Sequence, residues 1–306
     1  MKKKFDWKGA AGRLPVRLVM VVLALSVVFP LVWNLYSSLK SNTEIMADPW
    51  ALPTALHWEN YLSAFEKASM GDYFLNSIFV VVLATALHLL LVIPITYALS
   101  RYRFFGSKLL VGVLLACIFI QEPYILVPLY LQLSRVHLLD NLIALAVIYA
   151  TVRMPFSVFL LSGFMKSIPV DYEQAAMIDG CDDMRVFRSI VLPLSVPMLA
   201  TMALFYGVGH WNQFFDALIY LSDRSMYPLQ QVLREILLIN TEGTLNMAGN
   251  ASEAMAEGSA ALSEMINRAE TMKYAVIIVA SVPVLIIYPF LQRYFMKGML
   301  VGSLKG

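Results

Sequence analysis

Three charged side chains stand inside otherwise apolar stretches of this sequence. Glu122 follows Phe119-Ile120-Gln121 and precedes Pro123, Arg153 lies two residues before Pro155, and Asp216 follows His210-Trp211-Asn212-Gln213-Phe214-Phe215. A charge in apolar surroundings is costly, so such residues mark solute or ion pathways, proton relays or paired structural contacts. For Glu122 three roles stay open: a buried structural partner or interface position, a residue lining a path, or a proton carrier. The neighbouring residues offer a second chemistry. Gln121, Tyr124, Trp211, Asn212, Gln213 and Phe214 combine flat apolar faces with hydrogen-bond donors and acceptors. A neutral polyhydroxylated solute needs that set, because its CH faces stack on rings while its hydroxyls require partners. Packing between helices, with Asn212 hydrogen-bonded across them, accounts for the same residues.

Catalytic chemistry has no foothold of its own. The sequence lacks a phosphate-cradling G-x-x-x-x-G-K-[ST], a G-x-S-x-G elbow and an H-E-x-x-H pair. Cys117 falls in an apolar run and Cys181 in a polar loop, so neither a disulfide nor a metal site is expected. If this protein moves a solute uphill, its ATP site must belong to a partner.

The most structured polar segment is Glu173-Gln174-Ala175-Ala176-Met177-Ile178-Asp179-Gly180, followed by Ile190-Val191-Leu192-Pro193. Glu173–Ile178 suits a short helix with Ala175 and Ala176 on a close-packing face. Asp179-Gly180 then supplies a turn, since glycine tolerates positive φ. Asp182 and Asp183 stand where a second helix would start, which favours its dipole, and Arg185 and Arg188 follow. A helix-turn-helix of this kind, lying between membrane-length segments, can transmit a push from something docked upon it.

The elements that must position these residues are read from hydropathy. The chain has 306 residues, 59% of them hydrophobic and only 14% charged, with a mean hydropathy of +0.68. Soluble domains carry about 25% charged residues, so this balance points to lipid. Apolar runs near 18–38, 74–99, 109–133, 141–164, 197–220 and 274–295 reach the roughly 20 residues a helix needs to span hydrocarbon. They lack the alternation of a barrel, so an all-α polytopic membrane protein of six transmembrane helices is expected. The first run is too long for a signal-peptide core and no small-residue cleavage site follows it, so it reads as an uncleaved helix. Segments 1–17, 101–108, 165–195 and 293–306 hold 15 of the 23 Lys and Arg, against seven in the alternating segments. The positive-inside rule therefore places both termini and the loop at 165–196 in the cytoplasm.

In the first outer loop, about 39–73, Trp58-Glu59-Asn60-Tyr61 suggests a short interfacial helix near 58–68. Tyr97–Gly106 reads as an interface anchor ending in a glycine turn, with too few basic residues for nucleic acid. The loop at 221–273 is extracellular in this topology. Leu229–Leu238 suits a short amphipathic helix, Gly249-Asn250 breaks the chain, and Ala251–Glu270 reads as a helical extension or an exposed arm. No linker divides residues 1–306, so one transmembrane domain is expected, with its core at about 72–295.

The composite of motifs resembles a known family. Gln174-Ala175-Ala176, three residues before Gly180, and then nine residues before Ile190-Val191-Leu192-Pro193 is similar to the EAA loop of permease subunits of bacterial ABC importers. Asn76-Ser77, Tyr97-Ala98-Leu99-Ser100-Arg101-Tyr102, Pro155-Phe156, Phe164, Ser167-Ile168-Pro169, Trp211-Asn212 and Gln292–Gly298 resemble its carbohydrate branch. The resemblance covers about 15–306 and is strongest to the second, six-helix permease of maltose-type importers, the type I importer fold. It implies that Ala175, Ala176 and Gly180 form the core of a coupling helix docked on an ATPase subunit. Glu173, Asp179, Arg185, Phe187 and Arg188 would surround them, with Gln174 standing where the motif has Glu. It also implies a second, different permease, two ATP-binding subunits holding ATP and Mg, and an extracellular sugar-binding lipoprotein in a bacterial inner membrane. No cofactor is expected on this chain. The tail Val301–Gly306 resembles tails that enter the ATPase dimer. Two other classes stay on the table: a secondary transporter using Glu122, Asp216 or Arg153, and a membrane scaffold.

Overall fold

The computed structural model describes residues 7–67, 70–238 and 273–289, all of whose regular elements are helical. The proposed arm at 251–270, the break at Gly249-Asn250 and the tail Val301–Gly306 lie outside the described residues. The chain divides into two compact units, residues 1–69 with 235–280 and residues 70–234 with 281–306.

The first unit contains α1 (Trp7–Ser37), α2 (Asn42–Ala47) and α3 (Glu59–Lys67), the last being the short helix expected near 58–68. Within α1, Pro15–Ser37 is apolar and long enough to cross a membrane. Its end is tied into a polar knot. Lys40 is fully buried, its Nζ donating to the carbonyls of Asp48 and Pro49 at 3.3 and 3.0 Å while standing 4.9 Å above the Tyr36 ring. Two carbonyl dipoles and an aromatic face replace water around the ammonium. Ser41 and Glu44 form a capping box at the start of α2. Glu44 also accepts from the hydroxyl and the backbone N–H of Thr54. Those bonds, the Thr54 hydroxyl first, hold the carboxyl down to about 2.

The second unit is built on α4 (Met70–Arg101), whose 32 residues extend about 48 Å at 1.5 Å per residue. Its buried residues, Tyr73, Ser77, Val80, Ala84, His88, Val92 and Thr96, recur at three- and four-residue steps. They form one stripe, while Leu75, Phe79, Val82 and Leu90 are exposed on the rest of the helix. A helix apolar all round with only a stripe buried is one whose other face meets lipid. Around it stand α5 (Ser107–Ile118), α6 (Glu122–Arg135), α7 (Leu142–Val152), α8 (Met154–Ser167) and α11 (Leu192–Asn212). Of these, α7, α8 and α11 pack on α4, and α5 packs on α8. Between α8 and α11 come α9 (Asp171–Ile178), α10 (Asp183–Val186) and a π-helical turn, Phe187–Val191. α12 (Phe215–Tyr220) follows α11. A last apolar helix, α13, covers Lys273–Pro289, its residues up to Ala280 belonging to the first unit.

Each expected apolar run is helical where described, but three of the six are not single rods. The run at 109–133 is α5 and α6, meeting at 103°, and the run at 141–164 is α7 and α8, meeting at 47°. Proline explains both breaks. Pro123 and Pro155 lack an N–H for the residue four back, and their rings crowd that residue's carbonyl. The run at 197–220 ends as a helix at Asn212 and resumes at Phe215, with Gln213 in extended backbone. Pro193 sits just after the π-helical turn, where Leu192 N donates to Phe187 O instead of to the carbonyl four residues back. A missing N–H at Pro193 is the usual cause of such a widened turn.

Two apolar clusters fill this unit. One holds Val92, Tyr97, Leu161, Met165, Ala176, Val186, Val191 and Met202, and the other holds Val80, Ala84, Leu145, Ile148, Tyr149 and Tyr220. His88 lies on α4 between the levels of Val80 and Val92, and a polar layer gathers there.

Candidate functional site

The three helix breaks converge on that polar layer. Glu122 is the first residue of α6, favourable for a carboxylate at a helix N-terminus. Arg153 is the hinge residue between α7 and α8, with φ −92° and ψ 2°, in the sparsely populated bridge region frequent at active sites. Arg153 Nε donates to Glu122 Oε1 at 3.0 Å, both side chains being somewhat over one-third exposed. Beyond the α11–α12 break, Gln213 Nε2 donates to Asp216 Oδ2 at 3.0 Å. Glu122, Arg153, Gln213 and Asp216 line one small cavity together with Tyr149, His210 and Tyr220.

Glu122 and Arg153 also border a second, much larger space. A groove of about 850 Å³ is walled by Phe156, Phe205 and Tyr206, with Gln121, Glu122, Arg153 and Thr201 among its polar members. The ion pair is thus a wall between the groove and the inner cavity. A guanidinium engaged through Nε alone keeps its terminal N–H groups for other acceptors, and the carboxylate keeps a second oxygen. That is a donor set and an acceptor set side by side beneath aromatic faces.

Behind the wall, His88 is buried and fully bonded. Its Nδ1 lies 2.7 Å from the Ala150 carbonyl and its Nε2 lies 2.7 Å from Ser157 Oγ. A carbonyl only accepts, so in the neutral ring Nδ1 carries the proton and Nε2 accepts from the serine. Ser157 Oγ also lies within hydrogen-bond distance of the Tyr206 hydroxyl and the Arg153 carbonyl. This bond chain links α4, α7, α8 and α11 at one depth.

Gly209 gives Arg153 its room, because a Cβ there would stand 3.2 Å from Arg153 Nη1. Gly209→Ala displaces only the far end of a flexible side chain and is expected to leave transport within about twofold of wild type. Gly209→Leu is expected to expel the guanidinium from its place, at a cost of about 1–3 kcal/mol, and to lower uptake into proteoliposomes.

The structure redistributes the expected path residues. Gln121 and Glu122 line the groove, while Gln213 lines the inner cavity. Tyr124 is 74% exposed and does not line the groove. Trp211 is buried, edge-on to Phe74 at 5.7 Å, so it packs between helices and does not wall the groove. Asn212 is exposed, and Phe214 carries the Arg234 guanidinium over its ring at 5.5 Å. Phe156, Phe205 and Tyr206 are the aromatic residues that line the groove, and a sequence reading has no reason to choose them among 17 Phe and 15 Tyr. Arg153, His88 and Ser157 carry a clearer mark, being polar residues in apolar helices.

The loop at 165–196 forms the expected helix-turn-helix. α9 ends in a Schellman motif: Cys181 N donates to Ala176 O and Gly180 N to Met177 O, both at 3.0 Å, with Gly180 at φ +86°. Asp182 caps α10, its carboxylate accepting from Arg185 N at 3.1 Å. Within this chain Ala176 is buried, while Ala175, one helical step away, is exposed. Glu173 and Phe187 also turn inward. Glu173 pairs with Arg101, and Phe187 lies 4.7 Å from the Tyr97 ring. Tyr102, edge-on to the Tyr97 ring at 5.8 Å, has its hydroxyl raised above the ordinary range, first by burial and then by the Asp183 carboxylate. The outward face presents Tyr172, Gln174, Ala175, Met177, Ile178, Asp179, Gly180, Arg185 and Arg188, with Ile178 87% exposed.

A family model described as binding-protein-dependent transport system inner membrane component matches residues 60–301. The polygalacturonan/rhamnogalacturonan transport system permease protein YtcP of Bacillus subtilis is 35% identical over 288 residues, covering 94% of this chain and 96% of that protein. The diacetylchitobiose uptake system permease protein NgcG of Streptomyces coelicolor is 33% identical over 287 residues, covering 94% of this chain and 87% of that protein. In fold, the chain is similar to one in the crystal structure of a bacterial ABC transporter involved in the import of the acidic polysaccharide alginate. The TM-score is 0.78 at 22% identity, covering 96% of this chain and 100% of that chain. With a type I permease architecture and a family match over most of its length, the chain belongs to the binding-protein-dependent transport system inner membrane components, the permeases of ABC importers.

Proposed function

We propose that this chain is one of two different permeases that together form the path for an oligosaccharide, in an importer powered by two separate ATPase subunits. In this reading an extracellular solute-binding lipoprotein delivers the sugar, and ATP with Mg is held by the ATPases, so the chain is not itself an enzyme. Both termini and the loop at 165–196 face the cytoplasm, and the loop at 221–273 faces outward. The observation that carries the reading is the outward face of α9. Ile178, Met177 and Tyr172 are exposed apolar side chains on a rigidly capped helix at the cytoplasmic end of α4. Ile178 beside an alanine gives such a helix a knob for a cleft, and Arg185 and Arg188 give the rim charge.

The solute class follows from the groove. Arg153 and Glu122 offer donors and an acceptor to hydroxyl groups, and Phe156, Phe205 and Tyr206 offer faces to CH surfaces. Gln121 stands at the same elbow. Sugar-transport relatives such as YtcP and NgcG support the same class. The reading is tested by expressing the chain with its genomic neighbours and weighing the purified complex by native mass spectrometry. One copy of this chain, one different permease and two ATPases are expected. An ATPase-free monomer or homodimer that still transports would sink it.

A further inference from the structure

The cytoplasmic end of α4 carries an ion pair that the path and the outward face of α9 leave unused. Arg101 Nη2 lies 2.6 Å from Glu173 Oε1, with side chains only 10% and 6% exposed. The same nitrogen donates to the Ile168 carbonyl at 3.1 Å. Arg101 is the last residue of α4, Ile168 caps the end of α8, and Glu173 lies in the first turn of α9. One guanidinium therefore joins three helices where the loop leaves the bundle. Apolar packing surrounds it: Tyr97 and Phe187 meet beside it, and Ala176 and Val186 enter the same apolar cluster.

Further along α4 the same rod is bonded again. His88 reaches Ala150 O on α7 and Ser157 on α8. At the opposite end Asn76 Nδ2 donates to the carbonyls of Ser225 and Tyr227 at 2.8 and 3.2 Å, and Ser77 Oγ accepts from Leu229 N at 2.7 Å. A displacement of α9 that is passed to Arg101 thus reaches the polar layer and the far loop through one helix. Without the pair, α9 rests on this bundle mainly through apolar contacts, which are non-directional and let a short helix slide. A buried charge pair fixes register because its partners have no equivalent place to go.

We propose that Arg101 is a positioning residue for energy coupling: by clamping Glu173 and Ile168 it makes α9 and α4 move as one body. The inference rests on the reading that an ATPase docks on α9, and the experiment separates the two. The intact complex is purified through a tag on this chain and reconstituted into proteoliposomes with its binding protein, and the ratio of solute imported to ATP hydrolysed is measured. Arg101→Met is expected to copurify with the ATPases while the ratio falls by about tenfold, within the usual range of coupling between sites. Arg101→Lys keeps the charge and has donors for both acceptors, and is expected to restore most of the ratio. The exchange Arg101→Glu with Glu173→Arg is expected to recover more than either change alone. Should Arg101→Met fail to assemble, Glu173→Gln keeps the shape and the Ile168 bond and is expected to lower the ratio by a smaller factor. An assembled Arg101→Met or Glu173→Gln complex with the wild-type ratio would overturn the clamp. If the wild-type chain carries no ATPase at all, it is the docking reading that falls.

Discussion

Gly180→Val is expected to abolish most coupled transport while Gly180→Asn retains most of it. The cause is backbone and not space. A Cβ at Gly180 meets nothing within 4 Å, yet the residue sits at φ +86°. An L-residue there costs about 1–2 kcal/mol, more for a β-branched side chain, whereas Asn visits this region readily. The residue is also the pivot of the Schellman motif, whose two bonds close α9 and aim the chain at the Asp182 cap. If valine drives φ negative, both bonds are lost and α10 leaves its register with α9. The outward face then no longer presents Ile178 and Arg185 together. An equilibrium shifted by 1–2 kcal/mol corresponds to roughly a five- to thirtyfold loss. The check is uptake and ATP hydrolysis in proteoliposomes for the two variants side by side. Full transport by the valine variant would show that the turn is not needed. Loss in both variants with the complex intact would show that the exposed surface at Gly180 itself must stay bare.

That turn was the most legible part of the molecule. Gly180, the Asp182 cap and the helix over Glu173–Ile178 follow from local chemistry, because caps and positive-φ turns are decided within a few residues. The apolar runs were legible for the same reason, hydropathy being a sum over neighbours. What sequence did not reveal depends on partners far along the chain. Glu173 is separated from Arg101 by 72 positions, and Trp211 and Gln213 are two residues apart yet face a helix and a cavity respectively. Which face of a membrane helix looks inward is poorly marked when both faces are apolar, as α4 illustrates. The breaks divide likewise. In sequence 109–133, 141–164 and 197–220 each read as one span; Pro123 and Pro155 stand at two of the breaks, but no Pro or Gly marks the one at Gln213.

Arg153→Met is expected to lose most transport, and Glu122→Gln to keep a substantial share of it. The ion pair is more than one-third exposed, so its direct worth to folding is small, about 1 kcal/mol or less. Its worth to function comes from the cavity behind it. Arg153 shares that cavity with Glu122 and Asp216, and its side chain is the one cation among the residues that line it. Methionine there leaves two carboxylates facing one small space without a counter-charge, which drives helix ends apart or draws water through the wall. Glutamine at 122 still offers a carbonyl oxygen to Arg153 Nε, and Asp216 then balances the guanidinium. The two variants therefore separate the competing roles left open for Glu122. A proton carrier cannot survive the amide, so a secondary transporter would lose all uptake in Glu122→Gln. An ATP-driven permease that uses the pair as a wall and a hydroxyl-binding edge would lose most of it in Arg153→Met. Uptake driven by ATP and measured across an imposed proton gradient distinguishes them directly. Wild-type uptake in Arg153→Met would remove the ion pair from the path altogether and leave the groove's aromatic walls to hold the solute alone.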